Sequence, residues 1–243
     1  MLRNAMYMSS ILRVNPKQII HVGADKGQDR AEYIKLGCEE IIWCEADPRN
    51  VAYLEVNFPE DTIIGGAIWS EDLEVLKFYQ FNESAQNSAV APASSNAENS
   101  LGVISVKAHK LDTVLAAKQI MKRSLLVIDV QGAEIEVLKG AQKLLHKTSF
   151  VVIEIALKSQ GYTETPSQDS INLALGAHGF KPSISRISHD GSYKDQLFIK
   201  SNRMTVLRIR LSDEIFNIVM KARHGLKFHH LPKQHYFCSR CHE

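Results

Sequence analysis

The chain is expected to form an α/β fold with a mostly parallel, doubly wound sheet, and three observations predict it. From Lys17 to Lys200, short β-branched runs alternate with amphipathic helical stretches, the pattern of parallel strands joined by crossover helices. The runs "SLLVIDV" (124–130) and "FVVIEIAL" (150–157) are nearly all apolar, as central strands covered on both faces must be. The last two runs, "FKPSISRIS" (180–188) and "DQLFIK" (195–200), flank His189-Asp190-Gly191, so they are predicted to pair as an antiparallel hairpin.

The first strand is read at Gln18–Val22. A helix from about Asp29 carries Ala31, Ile34 and Leu36 on its apolar face and stops at Gly37. "EIIWCEADP" (40–48) is the second strand, and Pro48 suits the first turn of a helix whose inner face holds Val51, Leu54 and Val56. "TIIGGAIWS" (62–70) reads as one third strand, and "LEVLKFYQF" (73–81) as an extra strand rich in β-formers. The Ser/Asn/Ala-rich stretch 82–100 is a loop by composition and a candidate lid. "GVISVKAHKLD" (102–112) returns as strand, with Asp112 placed to cap a helix over Thr113–Lys118. One helix is expected over Gly132–Leu145, and another near Ser170–His178.

Composition narrows the function. In 243 residues, 44% hydrophobic and with a net charge of +2, there is enough apolar surface for one sizeable core. The small net charge gives no reason to expect binding to nucleic acid. No apolar run approaches the ~20 residues of a membrane span, and the N-terminus lacks a secretory pattern. Four cysteines do not make a disulfide framework. A cytoplasmic protein is therefore expected, with its oligomeric state unread. Residues 1–16 are an N-terminal extension, 17–200 the domain, and 201–243 a basic extension with eight Lys/Arg against three Asp/Glu. The extension is expected to be part helical around Asp213–Ala222 and dispensable for cofactor binding.

The tail ends in Cys238-x-x-Cys241-His242, the spacing of a c-type haem attachment, which would require export. His235, Cys238, Cys241 and His242 could instead ligate zinc. A single C-x-x-C lacks a second well-spaced pair, and the domain has no compact His/Asp/Glu cluster, so no metal is expected.

The first strand opens into "HVGADKGQD" (21–29), whose Gly23 and Gly27 match neither G-x-G-x-x-G nor the P-loop spacing. Asp25 between the glycines would repel a phosphate and favour a cationic centre. Glu45 stands 22 positions after Gly23, at the tip of the adjacent strand, where an acid can accept both hydrogen bonds of a ribose diol. Asp129 ends the most apolar strand, where a buried carboxylate needs a partner or a task. Glu134 lies in a first helical turn, where the dipole alone explains an acid.

In "HVGADKGQD", "WCEADP" (43–48), "GAIWS" (66–70), "HKLDTVL" (109–115) and "IDVQGAEIEVLKGA" (128–141), the chain resembles the FkbM-type S-adenosylmethionine-dependent methyltransferases over roughly 17–200. The resemblance implies a Rossmann-like class I methyltransferase fold with an antiparallel last strand. It implies S-adenosyl-L-methionine as cofactor, with Gly23, Ala24, Asp25 and Gly27 at its methionine end and Glu45, beside Ala46, at the ribose. Ala67 and Ile68 would flank the adenine, and Asp129 would lie near the methyl group. It points to O-methylation of a small molecule or sugar. Asp129 or Glu134 is then the expected base, ahead of His109 and Glu154, with Asn87 and Ser88 closing over the substrate. His21 and Asp25 depart from the common pattern, which often has an acid and Asn there; a packed strand histidine is one reading of His21. An NAD-dependent oxidoreductase and a non-catalytic adenosine-ligand module are the rival readings.

Overall fold

The computed structural model describes residues 15–93, 98–157, 162–188 and 190–200. Residues 1–14 of the N-terminal extension, the whole basic extension with its tail cysteines, and His189 lie outside them.

Seven strands form the main sheet: β1 (Gln18–Val22), β2 (Glu40–Glu45), β3 (Thr62–Gly65), β7 (Ser124–Ile128), β8 (Phe150–Ala156), β9 (Phe180–Ile187) and β10 (Tyr193–Lys200). Their order is β3-β2-β1-β7-β8-β10-β9, and β10 runs antiparallel to both its neighbours. This is the predicted doubly wound sheet with an antiparallel last strand. β1 and β7 are buried along their whole length, because side chains alternate between two covered faces. One face sets Ile20, Ile42 and Leu126 against Leu111, Val137, Leu145 and Leu175 of the helices that cover it. The other sets Ile19, Trp43 and Val127 against Tyr33 of α1 (Arg30–Lys35), Leu36 at its C-terminal cap, and Leu54 of α2 (Pro48–Asn57). Ile34 and Val56, expected inside, are 52% and 79% exposed. Tyr33 takes the inward position on α1, and Val56 sits two residues beyond Leu54, on the outer side of α2.

The run "TIIGGAIWS" is two strands rather than one. β3 ends on Gly65, and β4 (Ala67–Ile68) joins a second sheet, ordered β4-β6-β5, with β5 (Leu73–Phe81) and β6 (Ser100–His109). Gly66, at φ +120°, makes the break, and a side chain there would lie 2.9 Å from the His109 ring. The helix expected over 132–145 is also two: α4 (Glu134–Gly140) and α5 (Gln142–Lys147). Gly140 passes so close to the Trp69 carbonyl that a Cβ would sit 2.0 Å from it. Asp112 does not cap its own short helix, α3 (Leu111–Val114). Its carboxylate accepts from the Lys143 and Leu144 amides and so caps α5. The remaining helix, α6, is Gln168–Gly176, and the Ser167 hydroxyl caps it. Among the described residues no helix is long and apolar enough to cross a membrane.

Candidate active site

The C-terminal tips of β1, β2 and β7 converge on a cleft of about 350 Å3. β1 runs into Gly23, at φ +82°, where a Cβ would lie 1.8 Å from the Asp129 carbonyl oxygen. Only glycine lets the two strand tips approach so closely. The Gly23 and Ala24 amides donate to the Cys44 carbonyl, tying the loop to β2. Asp25 follows in a left-handed conformation, φ +47°, and its amide donates to Glu45 Oε2 at 2.7 Å. The Asp47 amide donates to Glu45 Oε1 at 2.7 Å. Glu45 is thus the post to which both loops are fixed, and it lines the cleft. Burial pushes its carboxyl up to about 7.

The cleft is lined by Gly23, Ala24, Asp25, Glu45, Ala46, Ala67, Ile68, Asn87 and Asp129, gathered from five separate stretches of sequence. Gly27 lies behind the loop, where a Cβ would sit 2.6 Å from the Phe58 ring. Asp25 spends both oxygens on protein: Asn50 and the Ser84 hydroxyl donate to Oδ1, and Gln28 to Oδ2. The 84–92 segment is strapped across the cleft. Asn87 donates to the fully buried Asp47 and accepts from the Phe81 amide. Ser88 donates to the Gln131 carbonyl, and Tyr162 to the Gln86 carbonyl.

Asp129 Oδ1 accepts from the Gln131 amide at 2.8 Å, and the same Nε2 donates to Glu154 Oε1 at 2.9 Å. Burial, above all, raises the carboxyls of Asp129 and Glu154 above the usual range. Glu134 is outside the cleft wall. Its Oε1 accepts from the Gly132 amide at its own helix start, and burial pushes it up to about 7. His109 is likewise not among the lining residues. His21 lines the cleft as a packed strand histidine, with Nδ1 2.9 Å from the Tyr33 hydroxyl, and burial pushes it down to about 4.

Arg186 and Tyr193 reach the cleft from the β9–β10 hairpin. Asp195, in register with Glu154 and fully buried, is pushed up to about 7 by burial, with Arg186 3.6 Å away. None of these three carried a sequence signal, because a hairpin residue meets β7 only once the sheet is assembled. Gln131 and Asp47 lay inside the quoted motifs but are uncharged or adjacent to the acid that drew notice. Among the described residues, no group of three or more His, Cys, Asp or Glu could hold a metal ion.

The raised carboxyls have a consequence for stability. Glu45 and Glu134 titrate near 4.5 when unfolded and about 7 when folded, so between those values the folded state binds more protons. Stability therefore falls as pH rises through that window, the reverse of ordinary acid denaturation. The ligand-free protein is expected to melt at a higher temperature near pH ~5.5 than near pH ~8. A melting point that only rises with pH would show these acids to be otherwise compensated.

Five parallel strands, an antiparallel hairpin inserted at one edge and a cleft at the β1/β7 switch point define the class I methyltransferase fold. Residues 21–182 match the methyltransferase FkbM domain, and the chain belongs to that family. No curated protein matches in sequence. Among solved structures, the chain is similar to M. capricolum TrmK in complex with S-adenosyl-homocysteine, at 12% identity and TM-score 0.47, covering 82% of this chain and 69% of that one. A ribosomal protein L11 methylase from Lactobacillus delbrueckii matches at 14% and 0.45, covering 81% and 77%. Magnesium protoporphyrin IX methyltransferase from Synechocystis matches at 10% and 0.42, covering 81% of each chain. At such identities the acceptors of those proteins carry no information about this one.

Proposed function

We propose that the protein transfers the methyl group of S-adenosylmethionine to a hydroxyl of a small molecule or sugar. The observation that carries this reading is the charge of the cleft. Asp25, Asp29, Glu45 and Asp129 line it, and Arg186 is the only lysine or arginine among the described lining residues. Such a wall repels the pyrophosphate of a dinucleotide and suits a cofactor that is cationic at its reactive centre. Glu45 fits the ribose. Each of its oxygens accepts one backbone N–H and keeps a second lone pair for a hydroxyl. Ala67 and Ile68, with Ala46 and Phe78 beside them, offer an apolar slot for the adenine. Gly23, Ala24 and Asp25 line the methionine end.

When bound, the cofactor supplies the electrophilic methyl group. The chain's own residues align the acceptor and take its proton, a task suited to Asp129, whose raised pKa lies nearer the working pH. Asn87 and Ser88, proposed as substrate contacts, have their side chains engaged with protein, so they support the wall of the acceptor site rather than grip a ligand.

Calorimetry with S-adenosylhomocysteine and, separately, NADH tests the cofactor; the first should bind and the second should not. The acceptor class is tested by incubating the protein with methyl-labelled cofactor and a fractionated cell extract. Label should appear in low-molecular-mass products that survive mild base, as a methyl ether does and an ester does not. Label confined to RNA or protein would overturn the acceptor assignment.

A further inference from the structure

We propose that Gln131 is a positioning residue that aims Asp129, keeping one carboxylate oxygen occupied and presenting the other to the cofactor's sulfonium and the acceptor hydroxyl. The inference rests on the cofactor reading above and adds the device that orients its proton acceptor. Gln131 Nε2 is an obligate donor, and it bridges Asp129 Oδ1 and Glu154 Oε1 at 2.8 and 2.9 Å. Among the described residues the hydrogen bonds to this carboxylate reach only Oδ1, and Asp129 lines the cleft, so Oδ2 is the oxygen left for a ligand. To make the bridge, Gln131 adopts φ +53°, a left-handed conformation that a residue with a side chain takes only when its surroundings hold it there. Its carbonyl accepts the Ser88 hydroxyl at 2.8 Å, which fixes the residue to the strap over the cleft. One residue therefore joins the strap, Asp129 and the acid of the neighbouring strand.

The electrostatic consequence follows from what faces Asp129. Asp25 and Asp29 approach from the β1 loop, Glu134 from the start of α4, Glu154 from β8 and Asp195 from β10, with Tyr162 and Tyr193 alongside and Arg186 beyond Asp195. Burial and these acids raise the carboxyl, and the Gln131 hydrogen bond opposes them. Removing that donor should raise the Asp129 pKa further, since a hydrogen bond to the charged form favours it.

The test needs no acceptor. S-adenosylmethionine and S-adenosylhomocysteine differ in one methyl group and one positive charge at sulfur. The ratio of their affinities therefore reports the ionisation of the carboxylate beside the sulfur, and Glu45 titration, common to both ligands, cancels. Affinities for the two are measured by calorimetry from about pH 5 to 9 in the wild type, Gln131→Met and Gln131→Glu. The wild-type preference for the sulfonium ligand should rise with pH. In Gln131→Met the rise should move to higher pH by roughly one unit. In Gln131→Glu, where a further acid replaces the donor, it should move at least as far. A curve for either variant that superimposes on the wild type would overturn the positioning role. Failure of the wild type to bind either ligand would refute the cofactor reading instead.

Discussion

Replacing Asp129 with Asn should slow single-turnover methyl transfer by ~10²–10⁴-fold, the contribution of a positioned base. The substitution is nearly isosteric and keeps an oxygen that can accept from the Gln131 amide, so the fold and the bridge to Glu154 need not change. What it removes is the negative charge and the proton-accepting oxygen, which the geometry leaves free on the cleft side. If Asp129 only attracts the sulfonium, the loss should appear in cofactor affinity and not in the rate of the bound complex. Glu134→Gln is the comparison. Glu134 stands outside the cleft wall and uses Oε1 to accept from the Gly132 amide, which Gln can still do. Gln lacks the buried charge that makes this carboxyl titrate at about 7, so the variant should be at least as stable as the wild type above that pH, and turnover should be that of the wild type. The two rates are measured by rapid quench on the acceptor identified in the labelling experiment. A wild-type rate for Asp129→Asn would remove it as the base and leave Glu154, held by the same amide, as the next candidate.

The separation of Asp129 from Glu134 shows where the sequence stops being readable. Both acids sit in one motif, five residues apart, and pattern alone leaves both as candidate bases, although the helix dipole already accounts for Glu134. The sheet parts them, since Asp129 directly follows β7 and lines the cleft while Glu134 turns back on its own helix start. The strands were legible because burial on both faces demands unbroken apolar runs, as in Ser124–Ile128 and Phe150–Ala156. Breaks inside such runs were not. Gly66 splits one run between two sheets, and Gly140 ends a helix that the apolar period would have continued. In both places the cause is backbone approaching from a remote segment, which no local period records. The strap was hidden in the same way. Asp47–Asn87, Asp25–Ser84 and Gln131–Ser88 span 40, 59 and 43 positions, so a stretch that reads as a polar loop by composition is pinned along the cleft.

Glu45→Ala tests the cofactor assignment most directly, and the structure changes what it should do. A solvent-facing acid at a strand tip would be expendable for stability. Glu45 is instead only 6% exposed and accepts the Asp25 and Asp47 amides at 2.7 Å each. Removing it strands two backbone donors, each costing ~1–3 kcal/mol when left buried. Part of that is offset, because the wild type already meets the cost of a buried carboxylate, seen in its rise to about 7, and because water can enter the opened cleft. A net loss of about 1–3 kcal/mol is therefore expected in chemical denaturation of the ligand-free protein. The binding loss should be larger. Two charge-assisted hydrogen bonds to the ribose, at roughly 1.5–3 kcal/mol each, correspond to a ~10²–10⁴-fold rise in Kd. It should be equal for S-adenosylmethionine and S-adenosylhomocysteine, since both carry the same ribose. The wild type should reproduce part of the effect by pH alone. The ionised carboxylate is the better acceptor, so S-adenosylhomocysteine affinity should weaken as pH falls through about 7, and Glu45→Ala should lose that dependence. Calorimetry at several pH values reads both arms. Unchanged affinity in Glu45→Ala would take the ribose away from this residue, whatever happened to the melting temperature.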